Sequence, residues 1–278
     1  MDRYENLHRF SRPESLNDFS FWFPKIEGSG IPVPKSAVVH VPRDMDETFY
    51  MENPDEDMVR IAKFVEEKVK PAIKEAGIHA PLFIKNARFS GKFDANRCCL
   101  CQDYQLHLAD HIARIMFDDL CNDIGGGSEV VIRERIGYDP VHVPCIYNGL
   151  PFRPEFRVFY DFDLKKVLFT ANYWDYDYCY PHLYELTDRI IFNTMREQLE
   201  DTFIGYKEFI EEAVANAMKD VEGLEGPWSV DIMMKNYPSN DSCDLDNPCT
   251  VYGDGEPEIY LIDMATAESS AYWDRRPK

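Results

Sequence analysis

Val59, Ala62, Phe64, Val65, Val69 and Ile73 recur at the spacing of one helix face. They predict an amphipathic helix that starts after Asn53-Pro54, bends at Pro71 and runs to Ala76, where Gly77 caps it. Further helices are expected over Tyr104 to Cys121, Leu183 to Leu199 and Tyr206 to Val221. Shorter apolar runs read as strands. Leu82 to Lys85 is one, and Glu129 to Ile136, rich in β-branched residues, is another. Glu155 to Tyr160 and Val167 to Trp174 form a hairpin turned through Asp161 to Lys166. The chain closes on a pair of strands, Trp228 to Met234 and Glu258 to Met264, joined by a long acidic loop with Cys243 and Cys249. Phe21 to Val41, broken by Gly28, Gly30, Pro32 and Pro34, suggests two short strands around a turn, preceded by a loosely packed arm over 1 to 20. The pattern predicts an α+β protein, with an N-terminal lobe at 1–80 and a larger region at 81–278 dominated by antiparallel hairpins.

Composition narrows the partners. Acidic residues outnumber basic ones by 50 to 30, a formal net charge of −20 over 278 residues. That balance disfavours a bare nucleic-acid backbone or an anionic membrane as partner. No apolar run approaches the roughly 20 residues of a membrane span, and Met1 to Phe10 lacks the apolar core of a signal peptide. A soluble cytoplasmic chain is expected. The eight cysteines include Cys98-Cys99-Leu100-Cys101, too tightly spaced for a zinc knuckle, and read as buried reduced thiols.

Candidate chemistry sits at strand ends. The apolar run before Lys85 breaks into a polar loop with Ser90, Gly91 and Lys92. A strand-borne ammonium beside a backbone-rich loop suits a polyphosphate, although an ordinary solvated loop has the same look. Asp231 and Asp263 each follow apolar residues on the closing strands. Converging there they form a ready Mg²⁺ site with Glu268 as a further ligand, while at strand ends they would simply face water. Glu129 to Ile136 reads as an edge that could offer backbone groups to an adenine ring; ordinary edge-strand charge placement explains Arg133, Glu134 and Arg135 equally well. Arg157, in Pro-Glu-Phe-Arg-Val-Phe, could clamp phosphate or form a cross-strand salt bridge with Glu155 or a neighbour. His107 and His111 read as a structural helix-face pair, and the aromatics from Tyr173 to Tyr184 as core or the lining of a cleft.

In order, these pieces resemble the ATP-grasp superfamily, and within it the bacterial and phage clade named for one arginine and two lysines. They are also similar to the eukaryotic cell-division-cycle ATP-grasp proteins that help assemble translation initiation factor 2. The carrying residues are Phe21 to Lys25, Gly30 to Lys35, the Lys85 to Lys92 loop, Glu155 to Phe159, Asp231 and Leu261-Ile262-Asp263. The resemblance implies two lobes clasping a nucleotide, with ATP and Mg²⁺ as cofactors. Lys85 would meet the α/β phosphates, and Ser90 to Lys92 would fold over them. The Arg133 to Ile136 segment, with Glu134, Arg135 and Ile136, would present backbone to adenine, Arg157 would lie near the γ-phosphate or the substrate, and Lys35 matches a Pro-Lys motif. Asp231 and Asp263 would hold metal. The family commonly carries an asparagine two positions after the second acid, where this chain has Ala265; Thr266 or Glu268 would then substitute, or one metal be weakly held. The activity implied is a carboxylate-amine ligase that converts ATP to ADP and phosphate, with Arg157 and Lys92 nearest the chemistry. A weakly catalytic or non-catalytic ATP-binding assembly factor for a protein partner is the alternative.

Overall fold

The computed structural model describes residues 15–136, 144–236 and 257–275, so the arm before residue 15 and the loop carrying Cys243 and Cys249 lie outside the described residues. The fold is α+β. Two compact units make up the chain, one gathering Pro34–Arg135, Tyr147–Leu150 and the described residues up to Phe23, the other Pro24–Val33 and most of the chain from Pro151 onward. The boundary expected at residue 80 therefore falls inside the first unit. β1 (Ser36–His40), on one side of that boundary, shares a sheet with strands on the other.

That sheet has the order β1-β4-β2-β3, with β2 at Leu82–Asn86, β3 at Leu100–Cys101 and β4 at Glu129–Glu134. All its pairings are antiparallel. Register separates its faces. Ala37, Leu82, Ile84, Val130 and Ile132 point to one side, where they join a core with Leu108, Ile112, Ile115 and Met116. Burying each large side chain of this kind stabilises the fold by about 1.5–3 kcal/mol. The last four residues belong to a helix at Tyr104–Cys121, started by Asp103, whose carboxylate accepts from the Gln105 N–H.

The N-terminal segment departs from the two-strand expectation. Phe19–Ile26 is a helix, α1, because Phe19, Trp22, Phe23 and Ile26 follow the helical period and all four are buried. The helix expected over 54 to 76 forms as α2 (Pro54–Phe64) and α3 (Lys70–Glu75), joined by one π turn at Val65–Val69. Pro71 lies just inside α3, where its missing N–H is least costly, and the wide turn precedes it. The helix at Tyr104–Cys121 is then α4.

The second unit carries the sheet β10-β9-β7-β8, formed by β7 (Glu155–Asp161), β8 (Lys166–Asn172), β9 (Pro227–Asn236) and β10 (Glu258–Thr266). Both expected hairpins are present, and β7 and β9 pair between them. A two-stranded ribbon, β5 (Cys145–Ile146) with β6 (Leu150–Pro151), precedes it. After a short helix α5 (Tyr176–Cys179), the two helices expected over 183 to 221 are one, α6 (Leu186–Met218), of 33 residues. Gly205 sits within it in open space, and the roughly 1 kcal/mol it costs in a helix does not break so long an element. Phe156, Val158 and Tyr160 of β7 are fully buried, and the Phe156 ring stacks on Phe203 of α6 at 5.5 Å.

Burial of the thiols holds for three of the six described cysteines, while Cys121 is exposed and Cys145 and Cys179 are half-buried. Cys98, Cys99 and Cys101 are buried and unpaired, and burial pushes each up to about 12. Thiolate is the reacting form, so alkylation of the native protein at pH 8 should label the exposed Cys121 and spare these three. Mass mapping of iodoacetamide adducts checks this; early labelling at Cys98 or Cys99 would contradict the packing.

Candidate active site

The charged face of the first sheet is the one turned away from its core. By register, Lys85 on β2 shares it with Glu129 and Arg133 on β4 and with Ser36 and His40 on β1. Lys85, Arg133 and Glu129 are each at most 3% exposed. Charges so buried are destabilising unless tightly engaged. Here α1 engages them. The Phe19 ring lies 5.7 Å from Lys85 Nζ and 5.1 Å from the Arg133 guanidinium, a cation–π contact with both. The next residue, Ser20, donates its N–H (3.2 Å) and its hydroxyl to Glu129, and Arg133 Nε donates to Ser36 Oγ at 3.1 Å.

The loop after Lys85 is held more firmly than its composition suggests. The fully buried Asn86 accepts from the N–H groups of Arg88 (3.0 Å) and Phe89 (2.7 Å), and Arg88 Nε donates to Asp18 at 2.7 Å. Asp119 accepts from Gly126 N at 3.1 Å beneath it, and burial raises its pKa. Gly91 has φ +60°, and a Cβ there would meet Cys98 Cβ at 2.8 Å, so glycine is required between the half-buried Ser90 and Lys92. Lys92 opens a 3₁₀ turn at Lys92–Asp94.

The edge expected to offer its backbone to adenine is not an edge. β4 is an internal strand, paired with β1 on one side and β2 on the other. The Glu134 and Arg135 N–H groups already donate to Lys35 O (3.0 Å) and Pro81 O (3.3 Å). What the structure does join is Lys35 and Glu134, because Glu134 Oε1 accepts from Lys35 N at 3.0 Å. Ile136 follows, half-buried.

In the second unit three charged groups meet on one sheet face. β7 pairs Arg157 with Asp231 of β9, and β10 pairs Asp263 with the same Asp231 across a register shift. Arg157 binds Asp231 through two parallel bonds, Nε to Oδ1 at 2.8 Å and Nη2 to Oδ2 at 2.6 Å. Glu155 is thus not its partner. Burial opposes the Arg157 charge, but Asp231, by charge and hydrogen bonding, raises its pKa overall, with Tyr173 and Asp263 adding to the effect. Tyr173 lays its ring 4.8 Å from the guanidinium. Its carbonyl accepts from Tyr272 Oη at 2.8 Å. The segment after β10 closes this face. Ala271 O lies 3.5 Å from Arg157 Nη1, the Trp273 ring packs on Phe159 and Phe169, and Ser270 Oγ meets Ser229 Oγ at 2.6 Å.

The metal expectation fares unevenly. Asp231 and Asp263 do converge, but both Asp231 oxygens hold Arg157. Asp263 is half-buried, and Glu268 is exposed in a 3₁₀ turn at Ala267–Ser269. Among the described residues no three histidine, cysteine, aspartate or glutamate side chains gather as a metal site. The residue overlooked by sequence reasoning is Glu129. Glu129, Val131, Arg133 is a period-2 stripe within an otherwise apolar strand, and that alternation was the available signal for Glu129. Tyr173 belongs to the aromatic run expected as core or cleft lining, and its ring lies against the Arg157 guanidinium.

No protein-family model matches the chain, and neither does any curated protein. Among solved structures it is similar to the VanG D-Ala:D-Ser ligase of Enterococcus faecalis, at 17% identity and TM-score 0.38, over 90% of this chain and 52% of that one. It is also similar to a D-alanine–D-alanine ligase of Bacillus anthracis complexed with ATP, at 14% identity and TM-score 0.38, over 90% and 53%. A RimK domain ATP-grasp protein of Sphaerobacter thermophilus matches at 12% identity and TM-score 0.34, over 94% and 60%. The chain spans about half to three-fifths of those chains' own lengths. Likenesses this loose carry no chemistry across.

Removing one partner of a buried ion pair leaves the other charge stranded. Asp231→Asn and Arg157→Gln should each lower the unfolding free energy, by about 3–5 kcal/mol, and the double variant should lose clearly less than their sum. Urea unfolding of the four proteins measures the coupling; additive losses would show that the pair is not joined.

Proposed function

We propose that the protein is an ATP- and Mg²⁺-dependent ligase that joins a carboxylate to an amine through an acyl phosphate. The observation that carries this reading is the convergence of Arg157, Asp231 and Asp263 on one face of an antiparallel sheet. Buried strand-borne cations and carboxylates are hard to keep for stability alone, and phosphoryl transfer is a chemistry that uses them.

In this reading Lys85 meets the α/β phosphates of ATP, and Ser90, Gly91 and Lys92 supply donors over them. Lys35, Glu134, Arg135 and Ile136 flank the adenine, with Ile136 making the backbone contact, since the Glu134 and Arg135 N–H groups are engaged. Asp263, with Glu268 and the Arg157-bound Asp231, would hold Mg²⁺. The ion would supply charge neutralisation at the phosphoryl oxygens. Asp231 acts chiefly as the anchor of Arg157, which fixes a guanidinium where negative charge grows. A substrate carboxylate oxygen takes the γ-phosphoryl group and ADP leaves. The amine nitrogen then bonds to the acyl carbon, the carbon–oxygen bond to phosphate breaks, and the amine gives up a proton.

A second reading has its own support. Ala265 stands opposite Ser229 where the resembled family has asparagine, and Asp231 is neutralised by Arg157. A protein that binds ATP to fix a conformation read by a partner would tolerate both.

ADP release and hydroxylamine trapping separate the two. With amino acids, peptides and protein carboxylates as acceptors, the ligase should yield ADP and a hydroxamate only when an acceptor is present. Asp263→Asn should cut that rate by about 10²–10³-fold. ATP-dependent capture of one partner without turnover would favour the assembly factor instead.

A further inference from the structure

α4 lies against the apolar face of the first sheet, opposite the face bearing Lys85, and its N-terminal half borders an open cleft of about 830 Å³. The other wall is the segment from Asn96 to Asp103. His107 and His111 line this cleft one turn apart, together with Asp103, Asp110, Arg97 and Arg114. The proposed ligase uses none of these residues, so a role for the cleft is independent of that activity.

His111 is the built part. Only 8% exposed, it places Nδ1 2.6 Å from the Cys98 carbonyl oxygen. A carbonyl can only accept, so Nδ1 carries the hydrogen and Nε2 of the neutral ring is an acceptor. Burial lowers the pKa of this histidine, which keeps the ring neutral near pH 7. Among the described residues the ring makes no other hydrogen bond, and His111 is one of the residues that line the cleft.

Both signs of charge line the same cleft. Arg114 is steadied by Asp118 at 2.9 Å and Arg97 by Asp94 at 3.6 Å, and neither carboxylate lines the cleft. Asp103 is fixed as the helix cap, and Asp110 lies 3.8 Å from His107 Nδ1. The cleft thus shows two guanidinium donors, a neutral imidazole acceptor and two carboxylates. The i, i+4 spacing of His107 and His111 suggested only a structural pair, because Arg97 and Asp103 reach them from outside the helix.

We propose that this cleft binds a small zwitterion, with the chemistry of a free amino acid or short peptide. Its carboxylate lies on Arg97 and Arg114, and its ammonium on His111 Nε2, Asp103 and Asp110. Guanidinium suits the carboxylate because its fixed fork of N–H groups matches two oxygens. An ammonium has three donors and needs acceptors, which the imidazole and the two carboxylates offer.

The test is histidine-selective ¹H–¹³C NMR on the full chain, with the His111 ring signal assigned by its loss in His111→Gln. The probes are the common amino acids, dialanine, and N-acetylated and C-amidated forms of whichever binds. A free zwitterion should shift the His111 signal, both blocked forms should bind at least tenfold more weakly, and Arg97→Ala should weaken the free form by a similar factor. The Arg97 side chain is 73% exposed, so its loss leaves the fold intact. Selective binding of the amino acids or of dialanine identifies which source the cleft takes. No shift with any probe, equal binding of the blocked forms, or unchanged affinity in Arg97→Ala would overturn the proposal.

Discussion

A guanidinium clamped on a carboxylate, Arg157 on Asp231, is the constraint around which the second unit is arranged. Taking both charges out of water costs several kcal/mol per ion, and only good geometry with further bonds offsets it. The strands provide that geometry. β7 and β9 set the two residues directly opposite, and β10 brings Asp263 beside them. The Tyr173 ring, the Ala271 carbonyl and the hydroxyl of Tyr272 complete the surroundings. The segment after β10 is therefore part of the site as well as of the core, and the pair ties stability to chemistry.

The first unit solves a similar problem differently. Lys85 and Arg133 are buried on the face away from the helical core, and an aromatic ring lies over both. Glu129 supplies the negative charge on that face while accepting from Ser20. One short helix thus covers the cations and caps the acid. The two units share a plan in which one sheet face is apolar and packed by helices and the other carries charge. In each, the period-2 alternation of a strand is what keeps chemistry and core apart.

Much of this was legible because strand and helix periods are local. The Tyr104–Cys121 helix, both hairpins and the Asp231–Asp263 opposition follow from alternation and from turn residues that register can be built upon. What was not legible depends on order or on competition. Nothing in Glu129–Glu134 says that β4 lies inside its sheet, because strand order is a property of the whole fold. Arg157 has Glu155 two residues away, and only the pairing of distant strands makes Asp231 its partner. In Phe19–Ile26 the helical spacing was present, but the glycines and prolines from Gly28 to Pro34 pointed toward strands. Gly205 lies between the two helices expected over 183 to 221, and one glycine does not break so long a helix.

Lys85 in one unit and Asp263 in the other are both proposed to serve ATP. Calorimetric titration of ATP with Mg²⁺ into the wild-type protein, Lys85→Ala and Asp263→Ala tests this most directly. Saturable binding by the wild type is predicted, with affinity reduced by about tenfold or more in each variant, the worth of one charge-assisted contact. No binding by the wild type, or variants that bind as it does, would contradict the account.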